Sequence, residues 1–447
     1  MSRLVILVDF TWTRNKDPRI PLGHASLLAA LENIPDLSVQ SVVIPVNKSV
    51  KNAEKIVENI LNYAAGWKPT DVDIAFGAYV WGEELLQKVL LSIRQKGFAG
   101  RIIIGGPQVS YQGSGLEKLY PLADVFIRGY AEDALRELVQ SPLRNSIPGV
   151  HWTGTHDKCE QANVDLESLT SPWLNGVFPL KGQRFVRWET QRGCPFNCAF
   201  CQHQEAGAKL RQRSFCMDRI EAEIDLFCKS GVEDIAVLDP IFNMAPHATA
   251  VLQRFAANEY KGKLSLQCRA ETISESFLDV ASTLNTRLEF GLQTIHSNEG
   301  LAINRKNNIQ KVDRVLSEVR HRGINHEISL IYGLPQQTLD SFKESIRWCL
   351  ERHIPVIKAF PLLLLRGTKL ECERDKWGLV DQGGAMPMVV ESNSFGYHDW
   401  SVMSQLSEAL CRTEGCHPAS LLELMSMSSD MNPEQLRWQP KVAVNAV

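Results

Sequence analysis

The chain lacks a long uncharged apolar run. A bilayer-spanning helix needs about 20 consecutive, predominantly apolar residues, and the apolar start at residues 4–8 stops at Asp9. No small-residue cleavage site follows, so this start reads as a buried strand rather than a leader. No membrane association is expected, and a cytoplasmic location follows by default. The chain also lacks an excess of either charge: 48 Lys and Arg stand against 51 Asp and Glu, a net charge of −3. That balance argues against a polyanionic partner such as nucleic acid. A disulfide framework is missing too, because most of the eleven cysteines are scattered singly and are expected to act as small buried hydrophobes. Apart from one cluster, the only close pair is Cys411 and Cys416, and no further cysteine follows it. At 447 residues the chain is long enough for two or three domains.

The one dense cysteine cluster is Arg192-Gly193-Cys194-Pro195-Phe196-Asn197-Cys198-Ala199-Phe200-Cys201. Its spacing offers three thiolates from one short loop, and thiolates are the preferred ligands of iron–sulfur clusters. Three ligands on a four-iron cube leave one iron open to bind a substrate or cofactor and pass it an electron. A structural zinc site with His203 as fourth ligand is the alternative. Such sites usually draw on two separated ligand pairs, and Cys201-Gln202-His203 packs two ligands tightly.

Around this loop, apolar strands alternate with amphipathic helices. Strands are expected at residues 4–8, 39–43, 72–76, 101–104 and 125–127, with helices at 27–31, 53–63, 83–95 and 132–139. Strand–helix alternation gives a parallel, doubly wound sheet, and ligands bind such sheets at the carboxyl ends of the strands. Gly77, Gly105, Gly106 and Gly129 fall at those ends; the other reading is that each merely permits a tight turn. Residues 141–182 are dense in Gly and Pro, which marks a linker. From residue 183 a strand at 185–190 delivers the cysteine loop. Five more strands follow at 235–238, 264–268, 287–290, 327–331 and 356–361, each separated from the next by a helix. Residues 371–447 read as a polar extension with helical stretches. The expected domains are therefore 1–140, 183–370 and 371–447, with the linker between the first two.

With Phe200 directly before Cys201, the CxxxCxxC run resembles the signature of the radical S-adenosylmethionine (SAM) superfamily. Four later stretches match motifs of that family in order: Leu288-Glu289-Phe290-Gly291-Leu292-Gln293-Thr294, Ile303-Asn304-Arg305, Gly333-Leu334-Pro335-Gln336-Gln337-Thr338 and Arg366-Gly367-Thr368. Gln336 stands where glycine is usual. The resemblance implies a [4Fe-4S] cluster on Cys194, Cys198 and Cys201, whose open iron chelates SAM and cleaves it reductively to a 5′-deoxyadenosyl radical. It also implies a partial barrel of six β/α units and an external electron donor such as flavodoxin or ferredoxin. Phe200, Gln191, Asp239, Arg269, Glu289 and Gln293 are the expected SAM contacts. Arg269 suits the carboxylate, since a guanidinium fork matches it bidentately, and Glu289 suits the amine or ribose hydroxyls. An internal salt-bridge ring tying the strands together is the competing reading of these charges.

Residues 1–140 resemble the cobalamin-binding domain that precedes many radical SAM domains. The matching pieces are Pro21-Leu22-Gly23, Ala75-Phe76-Gly77-Ala78-Tyr79-Val80-Trp81, Ile103-Ile104-Gly105-Gly106-Pro107 and Phe126-Ile127-Arg128-Gly129-Tyr130-Ala131-Glu132. Gly77, Tyr79, Gly105, Gly106, Pro107 and Gly129 are the implied cobalamin contacts. The chain contains no Asp-x-His, so the motif that supplies a lower axial histidine in some cobalamin proteins is absent. The expected fold class is α/β: an N-terminal doubly wound parallel sheet of the cobalamin-binding, Rossmann-like kind, a partial (β/α)6 radical SAM barrel, and a C-terminal helical tail. The implied reaction is methylation of an unactivated carbon of a small biosynthetic intermediate. The alternatives are a cobalamin-dependent rearrangement or cyclisation, a radical SAM enzyme whose N-terminal domain is an empty docking module, and a non-enzymatic redox or metal sensor.

Overall fold

A computed structural model of the chain describes residues 2–48, 52–142, 144, 146–203, 212–384 and 386–429. The described residues fall into two compact units: those up to 183, and those from 184 onward apart from 384 and 386, which group with the first.

The first unit is built on strands β1 (Arg3–Thr11), β2 (Leu37–Pro45), β3 (Val72–Gly77), β4 (Arg101–Gly105), β5 (Val125–Ile127) and β6 (Val150–Trp152), in the spatial order β2-β1-β3-β4-β5-β6. The first five run parallel, and β6 pairs antiparallel with β5. Alternate residues of β1 feed two cores. Leu4, Ile6, Val8 and Phe10 pack on one face, Val5 and Leu7 on the other. A parallel sheet covered on both faces explains why β1 reads as a continuous apolar run. The Gly- and Pro-rich stretch after residue 140 is not all irregular, since it supplies β6.

In the order 2-1-3-4-5 the winding reverses between β1 and β3, where a ligand crevice is expected beyond the strand ends. Buried polar side chains collect there. The Tyr79 ring stacks on Trp81 at 4.9 Å, Ser26 donates to Glu132 at 3.0 Å, and His24 lies 4.0 Å from Asp9. His24 Nε2 is engaged with Ser41 Oγ at 2.9 Å, so this histidine is a hydrogen-bonded interior residue. Arg128 is fully buried. Its guanidinium donates to the carbonyls of Val109, Gln112 and Gly113 and to Asp157, which fixes the loops beside Gly106 and Gly129.

The second unit opens with β7 (Phe185–Trp188), then a short antiparallel pair, β8 (Gln191–Arg192) and β9 (Arg213–Ser214). β10 (Asp234–Val237), β11 (Lys263–Cys268), β12 (Thr286–Gln293), β13 (Asn325–Tyr332) and β14 (Ile357–Pro361) follow. The six-stranded sheet β14-β13-β12-β11-β10-β7 is parallel throughout and matches the expected six β/α units. β7 ends two residues earlier than the sequence suggests. Thr190 gives its backbone N–H and its hydroxyl to the Asp239 carboxylate instead of the ladder. After β14 come helices Lys369–Cys372, Arg374–Trp377, Tyr397–Arg412 and Leu421–Ser429. The final residues 430–447 lie outside the described residues. Among the described residues no helix is long and apolar enough to cross a membrane.

Candidate active site

Along β11, β12 and β14 buried and half-buried residues alternate. The buried set (Leu264, Leu266, Leu288, Phe290) packs in the core. The half-buried set, including Gln267, Glu289, Gln293, Lys358 and Phe360, lines one cavity of about 240 Å³ within the second unit. All three clustered cysteines line the same cavity, as do Phe200, Arg269, Glu289 and Gln293. The sequence-based set is thus brought together with two exceptions. Asp239 is completely buried and its carboxylate accepts from Thr190 N at 2.8 Å and Gln191 N at 3.3 Å. Gln191 is buried as well, donating to the Ile241 carbonyl at 3.1 Å and accepting from Gln212. Neither is among the cavity-lining residues; both shape the turn that enters the cysteine loop.

That loop is held from several sides. Ala199 N donates to Ile303 O at 2.8 Å, and Leu370 N to Ala199 O at 2.9 Å. Asn304 Nδ2 donates to Asn197 O at 3.0 Å. Cys194 and Cys198 are buried. Burial pushes the Cys194 thiol up and the Cys201 thiol up to about 12. As free thiols these two keep their protons at neutral pH, and binding to iron would release them. Burial pushes His203 down to about 4, which leaves its ring neutral. Among the described residues no group of three or more His, Cys, Asp or Glu is gathered closely enough to hold a single ion. Three thiolates from one loop suit an iron–sulfur cluster, whereas structural zinc usually takes a closed set of four ligands.

Two arginines face the loop. Arg269 stacks on the Phe196 ring at 4.2 Å, donates to Lys306 O at 2.9 Å and lies 3.5 Å from Glu271. Arg305 reaches Cys198 Sγ at 3.8 Å and also donates to Gly291 O. Gln293 adopts φ +69° at a bulge against β13, so its amide folds back over Gly291. A Cβ on Gly291 would stand 2.7 Å from Gln293 Nε2 and 3.5 Å from Arg305 Nη2, so a side chain there would displace the Gln293 amide. Deeper in the cavity Glu327 is held by Arg287 at 2.7 Å and Lys358 at 2.8 Å. This is the internal salt-bridge ring of the competing reading, centred on Glu327. Glu289, its register neighbour, has its carboxyl pushed up to about 7 by burial and then by the Glu327 charge.

The implied cobalamin contacts lie together at the carboxyl end of the first sheet, with Gly77 and Gly105 in register. A Cβ on Gly77 would meet the Tyr79 ring at 2.8 Å, on Gly106 the Ala78 carbonyl at 2.9 Å and on Gly129 the Ala162 carbonyl at 2.4 Å. Their lack of side chains is therefore required by the protein's own turns, whatever ligand they also serve. The location fits a cofactor in kind: backbone rather than side chain forms the ends of β3 and β4, next to the β1/β3 reversal.

Burial raises three carboxyls to about 7: Asp9, Asp239 and Glu289. Their unfolded values lie near 4, so the folded state holds these protons more tightly. The stability they contribute is complete below about 4 and lost as pH rises through 7. His24 and His203, lowered to about 4, act the other way, and their contribution is complete above about 6.5. Thermal unfolding should therefore move to lower temperature between pH 6.5 and 8, and D239N should flatten part of that slope. A midpoint that rises over the same window contradicts the assignment.

Residues 188–349, which carry the cysteine loop and most of the strands around the cavity, match the model of the Radical SAM superfamily. The resemblance seen in the sequence holds for these residues, and the chain is similar to cobalamin-dependent radical SAM methyltransferases. It is 29% identical over 324 residues to the 2-(S-pantetheinyl)-carbapenam-3-carboxylate methyltransferase of Streptantibioticus cattleyicolor, covering 66% of this chain and 47% of that protein. It is 28% identical over 326 residues to the cobalamin-dependent radical SAM methyltransferase TokK of Streptomyces tokunonensis, with the same coverage. The chain thus spans about half the length of the curated relatives it matches. Among solved structures, the radical SAM methyltransferase TsrM from Kitasatospora setae, with tryptophan and a SAM analogue bound, superposes with a TM-score of 0.67 at 16% identity. That match covers 84% of this chain and 76% of TsrM, and it shows the shared fold.

Arg305 is a functional candidate whose role the sequence does not reveal. The run Ile303-Asn304-Arg305 is visible in the sequence, but its contact with Cys198 depends on a fold that brings residues more than 100 positions apart together.

Proposed function

We propose that this chain is a cobalamin-dependent radical SAM methyltransferase acting on an unactivated carbon of a small biosynthetic intermediate. The observation that carries the reading is the convergence of Cys194, Cys198 and Cys201 with Arg269, Glu289 and Gln293 on one cavity. The relatives support it, being named as methyltransferases of a carbapenam carboxylate or shown with tryptophan. In this reading the three cysteines hold a [4Fe-4S] cluster, and Phe200, Arg269, Glu289 and Gln293 contact SAM. Gly77, Tyr79, Gly105, Gly106, Pro107 and Gly129 serve cobalamin. Bound there, these groups supply one-electron cleavage of SAM and carriage of a methyl group.

The chain's own part is placement and exclusion of water. Arg269, fixed by Phe196 and Lys306, presents a preorganised guanidinium to a carboxylate. Phe360, Leu362, Leu363 and Leu365 form an apolar wall of the cavity that keeps water from a reactive centre. Asp239 and Gln191 hold the entry to the loop. An external flavodoxin or ferredoxin is the proposed electron source, and a reducing cytoplasm suits an oxygen-sensitive cluster.

Anaerobic reconstitution with iron, sulfide and hydroxocobalamin, followed by SAM, reductant and candidate intermediates, tests the reading by mass spectrometry. A product heavier than its substrate by one CH2, a hydrogen replaced by methyl, is expected. A product of unchanged mass favours rearrangement or cyclisation, and a protein that retains no cobalamin favours the docking-module reading.

A further inference from the structure

Arg305 is placed with more care than cavity lining requires. Three consecutive residues clamp the cysteine loop: Ile303 O accepts from Ala199 N at 2.8 Å, Asn304 Nδ2 donates to Asn197 O at 3.0 Å, and Arg305 Nη1 points at Cys198 Sγ at 3.8 Å. Asn304 adopts φ +52° to do so. Arg305 N bonds Gly300 O at 2.7 Å, and a Cβ on Gly300 would stand 2.7 Å from Arg305 O. The guanidinium is anchored at its far side on Gly291 O. Its Nε is buried with no hydrogen-bond partner among the described residues. Its charge is felt at both Cys194 and Cys201, where it opposes the upward push of burial. Burial and then the Arg305 charge lower Arg269, so the two cations share one field, and Arg269 has a carboxylate, Glu271, at 3.5 Å.

We propose that Arg305 is a positioning residue that sets the reduction potential of the cluster, by holding a fixed positive charge and a sulfur-directed N–H against Cys198. The proposal rests on the reading that the cysteine loop holds an iron–sulfur cluster. Hydrogen bonds to cluster sulfurs and local net charge are the levers that tune such potentials. Reduction adds one electron, supplied by the external donor, and hence one negative charge to the cluster. No bond to Arg305 forms or breaks. A nearby cation stabilises the charged product more than the oxidised form, so Arg305 makes the cluster easier to reduce. Arginine suits the task because one rigid fork spans Gly291 O and the sulfur at once, which lysine cannot do.

The test is a redox titration of the reconstituted full-length protein without SAM, followed by electron paramagnetic resonance. R305Q should lower the ratio of reduced to oxidised cluster at fixed poise at least tenfold, which is about 59 mV for a one-electron couple. R305K, which keeps the charge and loses the fork, should show a smaller fall in the same direction. A merely structural role would change iron content and leave the midpoint of the loaded fraction unmoved. An unchanged or more positive midpoint in R305Q at wild-type iron content overturns the proposal. If R305Q loads no iron, an unshifted midpoint in R305K overturns it. Wild-type protein that takes up no iron and sulfide removes the underlying reading itself, and the iron and sulfide assay reports that separately.

Discussion

Cys198→Ser is expected to abolish the iron–sulfur absorbance of the reconstituted protein and to lower SAM cleavage more than about a hundredfold, beyond what loss of an outer-shell partner costs a metal site. Serine keeps the size but offers a harder, far less acidic oxygen, and a three-ligand site has no spare donor. Cys198 is buried on a turn pinned by Ile303, Asn304 and Leu370, so no neighbouring thiol on that turn can swing into its place. Cys268 gives the control. It lines the same cavity on β11, outside the clustered loop, and burial pushes its thiol up. Cys268→Ser should keep the absorbance. Iron and sulfide content, the visible spectrum and methionine release check both variants. A Cys198→Ser protein with a full cluster contradicts the ligand assignment.

The second large effect falls on a residue away from the cavity wall. Asp239→Ala should cost about 3–5 kcal/mol of stability. The carboxylate takes two backbone N–H groups and the Thr190 hydroxyl in a fully buried position, and each stranded donor costs about 1–3 kcal/mol. Against a typical stability of about 5–15 kcal/mol that is a large share. D239N, which keeps an acceptor oxygen, should lose less. Because these contacts end β7 and aim the chain into the cysteine loop, D239A should also load less iron at temperatures where it remains folded. Denaturant unfolding and iron content read the two effects. An Asp239→Ala variant within 1 kcal/mol (about the net worth of one ordinary hydrogen bond) of wild type contradicts this account.

Asp239 also shows where reading the sequence stops. From the sequence it is a polar residue at a strand end, where barrel enzymes place chemistry, and so a SAM contact. Its burial beneath Thr190 depends on β10 lying beside β7, a pairing between residues about 50 positions apart. Gln191 is misleading for the same reason. The strands are legible because β1, β3 and β4 are buried on both faces and must be apolar. β6 was hidden in a stretch rich in Gly and Pro, since three residues carry too little pattern. Arg269, Glu289 and Gln293 reach the cavity because alternate residues of adjacent strands share a face. In the sequence the glycines of the first sheet point either to room for a ligand or to tight turns. The structure adds that Tyr79, Ala78 and Ala162 need that room first.

One loop, Cys194 to Cys201, is expected to hold a cluster that cleaves SAM. Anaerobic reconstitution with iron and sulfide, then SAM and dithionite, followed by measurement of methionine and 5′-deoxyadenosine, reads this out. Iron–sulfur absorbance and release of both products are expected, each lost in Cys198→Ser. A protein that binds zinc in place of the cluster, or that holds the cluster and leaves SAM intact under reductant, contradicts that expectation.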